Sequence, residues 1–404
     1  METAIRGVDG RTKVFGSLCT LVFLVNIGRL VYAPLLEPFR TIFAASTAEI
    51  GLLATLAWIG STVPRLPTGY LLTKFPRHTL VLWSGIVLTG SSLFASSARS
   101  LEVLSVGALL MGVASGVYFV AANPLVSELF PERVGRVIGI HGVAAQIAAV
   151  LAPVIVGVVF AITVWPLAAW RVIFLLIALA TTISTIAFYV LARRTTLPDA
   201  GGTDRNLRVA FRANWRLIVT AVALVGFIGL VWNALFNLYG TYLVETKGIS
   251  ESVALTLLTV MFATGIPAFW FTGNLADRLP FVPLLLAITA GFAVCLFALT
   301  VVDSLLGVIA VSAVTGFVIH GLFPVSDTYV LASLSDDHRG SGYAIFSATM
   351  MPFHAVGPYL VGSLVDFGVG FDEVFRGFVL ILLATVVVLW TLSTTGRLPA
   401  GAND

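Results

Sequence analysis

Twelve separate stretches of twenty or more predominantly apolar residues run through this chain, and a stretch of that length leaves few folds open. At 1.5 Å per residue, about twenty helical residues cross the ~30 Å hydrocarbon core of a bilayer. The stretches fall at about 14–36, 50–72, 79–98, 103–127, 137–162 and 167–192, then at about 217–244, 253–276, 281–302, 305–332, 342–365 and 374–395. Twelve spans of ~22 residues use ~264 positions and leave about 140 for loops and ends. Composition agrees: 58% of residues are hydrophobic and 11% charged, against roughly 25% charged in soluble domains. The expected class is an all-α membrane protein, with a bundle at 1–192, a cytoplasmic linker at 193–216 and a second bundle at 217–404. Arg6, Arg11 and Lys13 precede the first stretch, but no small-residue cleavage site follows, so that stretch reads as a retained helix.

Local chemistry supports the boundaries. Ser46-Thr47-Ala48-Glu49 has the spacing of a capping box and should open the second span, while Leu279-Pro280 should close the eighth. Charge sets orientation, because basic loops stay cytoplasmic. Sixteen of the 23 Lys and Arg residues lie in the N-terminus, the even-numbered connections and the C-terminus. Five lie on the opposite side (Arg40, Arg99, Arg171, Lys247 and Arg376), and Arg29 and Arg65 fall inside spans. Both termini are expected in the cytoplasm of a plasma-membrane protein. The net charge of +3 then reflects topology and not nucleic-acid binding. Cys19 and Cys295 both sit in apolar stretches, so neither a disulfide framework nor a metal site is indicated.

The two halves repeat. At an offset of 204 residues, the stretch Gly69 to Pro76 lies over Gly273 to Pro280, and Gly112 lies over Gly316. One slipped residue places Pro153 on Pro358, Gly157 on Gly362 and Arg171 on Arg376. Repeated six-span halves with both termini on one side describe two packed bundles related by an axis along the membrane normal.

These residues resemble the major facilitator superfamily, whose loop between spans two and three reads approximately Gly-x-Leu-x-Asp-Arg-x-Gly-Arg-Lys. Gly69, Leu71, Lys74, Arg77 and His78 match it in the first half; Gly273, Leu275, Asp277 and Arg278 match it in the second. Pro131-Glu132-Arg133 and Trp170-Arg171 are similar to other habits of the family. The resemblance implies twelve transmembrane helices in two pseudo-symmetric bundles, and a cytoplasmic gate at Gly69, Lys74, Arg77, Gly273, Asp277 and Arg278. In such a gate the loop glycine would permit close helix approach and the charges would pair with helix ends. The chain also departs from the pattern. Thr73 stands where the first loop usually has an acid, Ala108 where many proton-coupled members have arginine, and Ala152-Pro153 where the antiporter motif has Gly-Pro, although Gly357-Pro358 is present in span eleven.

Ionisable groups at bilayer depth cost ~2.5–3.5 kcal/mol and persist mainly beside a partner or a wet cavity. Arg29 lies sixteen residues beyond Lys13, ~24 Å along a helix, with Asn26 and Tyr32 at three-residue spacing. It is either an anion-binding fork or one half of an inter-helix ion pair. Arg65 and Asp327 are expected at equal depth, as a salt bridge, a gate pair or ligand contacts. His320 and Asp327 share a helix face at seven residues, a pairing suited to proton coupling; the histidine could equally be hydrogen-bonded inside a bundle. Asn233 and Asn237 share a face of span seven, as cavity lining or as polar glue. His354 in span eleven is a binding or packing group. His141 should reach the interface and has no assigned role. Gly112 and Gly116 read as a close-packing pair.

The substrate-binding set is therefore Asn26, Arg29, Tyr32, Arg65, Asn233, Asn237 and His354, with His320 and Asp327 for proton coupling. The net positive cavity points to a secondary transporter of a small organic anion. No phosphate-binding loop motif of an ATPase occurs, so a proton or counter-substrate gradient should drive it, with no cofactor. A monomer in the bilayer, with a small-molecule substrate and no nucleic-acid partner, is the expected working form. The alternative is proton-coupled export of lipophilic or cationic drugs, with Asp327 holding the cation. A membrane-embedded enzyme is disfavoured, since neither a zinc-protease HExxH nor a GxSxG elbow is present.

Overall fold

A computed structural model describes residues 2–72, 74–130, 134–162, 168–197, 207–276, 278–334 and 339–396. The secondary structure of the described residues is helical throughout, in sixteen segments. Among the described residues, ten helical stretches are long and apolar enough to cross a membrane, with α1 (Glu2–Leu30) and α2 (Tyr32–Ile42) counted together. The second span is shorter than that measure because it divides into α3 (Thr47–Thr62) and α4 (Arg65–Leu71). The eleventh is α15 (Arg339–Asp366).

Four of the twelve expected spans are broken, where the hydropathy pattern reads as continuous. Breaks fall at Val31, at Val63-Pro64, at Thr264 between α10 (Glu251–Ala263) and α11 (Gly265–Ala276), and at Gly321 between α13 (Leu305–His320) and α14 (Leu322–Ser333). A proline follows each at fixed spacing: Pro34, Pro67, Pro267 and Pro324. Proline lacks the amide hydrogen for the carbonyl four residues back, and its ring crowds that carbonyl. Those carbonyls belong to Leu30, Val63, Ala263 and His320, at or next to the last residue of the preceding helix.

Two compact units emerge: residues Met1–Ala45 with Leu52–Asp204, and Ser46–Gly51 with Arg205–Asp404. The first contains α5 (Arg77–Ser96), packed on α6 (Leu101–Leu129) and α8 (Ala169–Arg193), and α1 packed on α7 (Val134–Ile162). In the second, α12 (Phe281–Val301) packs on α13 and α16 (Phe371–Thr394), and α9 (Leu207–Lys247) packs along α15. The expected linker is partly helical, since α9 starts ten residues ahead of the expected span, with Arg212 and Arg216 one turn apart on its face.

The second unit takes in the start of α3. Ser46 and Glu49 form the expected capping box, with Ser46 N–H to Glu49 Oε2 at 2.8 Å and Glu49 N–H to Ser46 Oγ at 3.2 Å. The Asp366 carboxylate accepts from the amides of Thr47 and Ala48 at 3.1 and 2.9 Å.

The sequence repeat reappears as repeated contacts. Gly112 lies against the Ala57 carbonyl and Gly316 against that of Met261, and the second pairing is the first displaced by 204 residues. A side chain at either glycine would collide with backbone, so glycine is required there by close approach. Arg171 donates to the carbonyls of Ser96 (2.5 Å) and Ala98 (2.6 Å), and Arg376 donates to the hydroxyl and carbonyl of Thr300 at 3.1 and 3.2 Å. In each unit one arginine thus satisfies the open carbonyl end of a neighbouring helix.

Candidate functional site

In the first unit the break after Leu30 leaves Arg29 in the last turn of α1. Asn26, one turn earlier, donates to the Ala145 carbonyl of α7 at 3.1 Å and accepts from Arg29 Nη2 at 3.0 Å. The asparagine is thereby fixed at both ends and aims the guanidinium. Arg29 lies over the Trp58 ring at 4.5 Å and near Phe119 at 5.9 Å, an arrangement that holds a cation by the ring quadrupole. Its Nε is buried and has no hydrogen-bond partner. No carboxylate among the described residues forms a salt bridge with it.

Arg65, the first residue of α4, donates from Nε to the Ser61 carbonyl at 3.1 Å. Its positive charge lies close enough to Arg29 to repel it. Each guanidinium presents the planar fork of N–H donors that suits a carboxylate or phosphate. Tyr32 is elsewhere in its contacts. Its hydroxyl meets Met111 Sδ at 3.1 Å, its ring packs 5.5 Å from Phe174, and it is fully buried.

In the second unit Asn233, Asn237 and His354 come together as a polar seam between α9 and α15. Asn233 donates to the His354 carbonyl at 2.6 Å and accepts from Asn237 at 2.9 Å; His354 Nε2 donates to the Val225 carbonyl at 3.3 Å. Gly229 lies against the histidine ring and Gly357 against the Leu230 carbonyl, so the two helices approach closely here. The donors of all three residues go to each other and to backbone.

His320 ends α13 directly before a break and is 3% exposed. Its Nδ1 donates to the Gly316 carbonyl at 2.7 Å. Around it stand Trp232 (5.2 Å between ring centroids), Phe262 (5.6 Å), Phe323 (6.1 Å) and Phe269 (6.2 Å). Gly265 makes room for its ring. The backbone of Asp327 is in α14, but its side chain lies outside the described residues, so its expected pairings with His320 and Arg65 do too.

Several gate residues can be placed. Arg77 bridges Glu128 at 2.7 Å, tying α5 to α6, and Lys74 lies over the Tyr70 ring at 4.7 Å. Arg278 is exposed; Asp277 lies outside the described residues, as do the surroundings of Gly273. Gly69 corrects the expectation of close approach, because a side chain there would meet nothing within 4 Å. His141 is a second correction. It is 2% exposed, with Nε2 3.1 Å from the Tyr118 hydroxyl, which itself donates to the Leu18 carbonyl. It cannot reach the interface, because α7 turns it toward α1 and α6.

Sequence reading missed the aromatic partners: Trp58 and Phe119 at Arg29, and Trp232, Phe262, Phe269 and Phe323 at His320. Aromatic residues are plentiful in any membrane chain and carry no period of their own. A usable signal was present in the prolines, since Arg29, Arg65 and His320 each lie beside a proline-induced break.

Residues 18–306 and 248–403 match the Major Facilitator Superfamily. The L-fucose-proton symporter of Escherichia coli (strain K12) is 28% identical over 126 residues, 30% of this chain. An uncharacterized MFS-type transporter of Yersinia pestis is 23% identical over 238 residues, 57% of this chain. The chain spans 28% and 58% of the lengths of these two relatives. Among solved structures, a bacterial homolog of the human lysosomal transporter Spinster, in an inward-facing and occupied conformation, superposes with a TM-score of 0.81. That match is 15% identical and covers 95% of this chain and 97% of the other. The D-xylose-proton symporter superposes at 0.78 with 15% identity, covering 97% and 99%.

Proposed function

The chain belongs to the major facilitator superfamily, and from that premise we propose that it is a secondary transporter of a small organic anion. The observation that carries the anion is Arg29, whose buried Nε lacks a partner while Asn26 and Trp58 hold the group in place. A buried polar group without a partner costs ~1–3 kcal/mol, more when charged, so a carboxylate that completes it binds with a corresponding gain. Arg65 adds a second positive charge close by. Asn26, Arg29 and Arg65 form the substrate-contacting set, with Trp58 and Phe119 as its walls. Asn233, Asn237 and His354 support the second bundle as a seam.

Transport proceeds by alternating access, with each bundle moving as a body. A proton or counter-substrate gradient drives it. The protein resides in the plasma membrane with both termini in the cytoplasm, following its basic loops. His320 remains the proton-coupling group in this reading, because its Nδ1 is fixed by Gly316 and one ring nitrogen is left to exchange a proton.

The test is uptake of labelled monocarboxylates and dicarboxylates into proteoliposomes, with a lipophilic cation as the competing probe. Removing a charge-assisted contact costs ~1.5–3 kcal/mol, so Arg29→Gln should lower kcat/KM about ten- to a hundredfold. Anion uptake that survives Arg29→Gln unchanged refutes the assignment. Movement of the cation alone would favour the exporter alternative.

A further inference from the structure

Away from the polar residues, α12 and α16 of the second unit enclose a groove of about 390 Å³ lined by Ala293, Val294, Phe297, Arg376, Val379 and Leu383, among others. Its volume is in the range of small-molecule sites, ~300–1,000 Å³. Val294 is 65% and Leu380, also in its wall, 69% exposed, so in the bilayer its open side is bathed by lipid. Every lining side chain but one is apolar. The exception, Arg376, lies five residues into α16, ~7.5 Å from the helix start, the depth at which arginine reaches the head-group layer. Its Nε and Nη2 donate to Thr300, and Nη1 has no bond among the described residues.

One turn nearer the helix start is Glu373, exposed and on the same face at three-residue spacing. One of its oxygens, Oε2, accepts the Gly370 amide. The neighbouring acid, Asp372, is committed to Tyr242 at 2.8 Å and to Lys247 at 3.9 Å. Along one face of α16 the order is thus carboxylate, guanidinium, apolar groove. A phospholipid with a protonated amine has the same order: ammonium, phosphate, acyl chain. We propose that this groove is a binding site for phosphatidylethanolamine, with an acyl chain between α12 and α16, the phosphate on Arg376 and the ammonium on Glu373. Charge complementarity selects a zwitterionic head group, because an anionic phospholipid lacking the amine would set its head group against Glu373, and the N–H donors of a primary ammonium, absent from a quaternary one, select ethanolamine at that carboxylate. The site is independent of the substrate assignment.

Purified full-length protein in nonionic detergent is titrated with phosphatidylethanolamine, with phosphatidylglycerol and with phosphoethanolamine alone. Bound lipid is counted by native mass spectrometry and stability followed by thermal scan. One saturable phosphatidylethanolamine should bind at least about tenfold more tightly than phosphatidylglycerol, a difference of ~1.4 kcal/mol. Phosphoethanolamine alone should not compete. Arg376→Gln and Leu380→Trp should each weaken phosphatidylethanolamine about tenfold or more, a shift of at least ~1.4 kcal/mol. Arg376→Gln also removes the bonds to Thr300, whereas Leu380→Trp fills the groove from an exposed position and leaves them intact. Glu373→Gln, which can still accept the Gly370 amide, should abolish the preference for the ethanolamine head group. Equal affinity for the two lipids, competition by the head group alone, or an unchanged titration in Leu380→Trp would overturn the proposal.

Discussion

At the scale of single residues, the contrast that bears on function is between the polar seam of α9 and α15 and the guanidinium of Arg29, one of whose buried donors has no partner. Asn233, Asn237 and His354 complete one another across α9 and α15, and a saturated set of this kind holds helices together at roughly 0.6 kcal/mol per bond. Arg29 is bonded by Asn26 and stacked on Trp58, but its Nε has no partner. Asn26→Ala removes both its aim and the tether to Ala145, so substrate KM should rise about tenfold, equivalent to ~1.4 kcal/mol, with kcat little changed. Trp58→Leu removes a cation–π contact of ~0.5–2 kcal/mol, and transport assays should show a smaller rise in KM of the same kind. If both variants transport as the unaltered protein does, Arg29 does not touch substrate. The arginine itself was legible in the sequence, since a charge in the middle of an apolar span is conspicuous. Its completeness was not, because Asn26 is sequence-adjacent while Trp58 and Phe119 arrive from other helices. His141 shows the same limit: its distance from a span end says nothing of the side it faces.

At the scale of elements, prolines and glycines divide the work. Each of the four breaks sits three or four residues ahead of a proline, and three of them adjoin an ionisable side chain proposed for function. Pro324→Ala should restore a partner to the His320 carbonyl, rejoin α13 with α14 and stabilise the helix, proline being disfavoured by ~3 kcal/mol in a helix interior. The expected readout is a higher midpoint in a thermal scan together with slower transport; a higher midpoint with unchanged transport would show that the break has no functional role. Gly112→Ala and Gly316→Ala should each destabilise by ~1–3 kcal/mol, because the added methyl meets the backbone of Ala57 or Met261. Gly69→Ala should be nearly neutral for stability, since the space beside it is open. Comparison of these three midpoints separates packing glycines from the glycine of the loop motif. The elements were largely readable from hydropathy, and the breaks less so. A proline within an apolar run is also compatible with an unbroken helix, as Pro124 in α6 and Pro153 in α7 demonstrate.

At the scale of the whole molecule, the repeat predicts equal consequences at equivalent positions. Arg171→Ala and Arg376→Ala each strip the hydrogen-bond donors from the carbonyl end of a partner helix, and each should lower stability by ~1–3 kcal/mol. A large difference between the two midpoints would mean that the units do not share this fastening. Topology is tested separately by cysteine substitutions near residues 10 and 396 and labelling of intact cells with an impermeant thiol reagent, where protection of both positions is expected. The sequence by itself determined the class of protein, the number of spans, the two-fold repeat and the expected orientation. Those properties follow from chain length against bilayer thickness, from charge counts and from self-similarity, all of which are sums along the chain. The tertiary structure decided which polar groups satisfy one another, which glycines touch backbone, and that Arg29 keeps a buried donor without a partner. Such facts depend on the rotation of each helix about its axis, and that rotation is fixed by packing against neighbours far away in sequence.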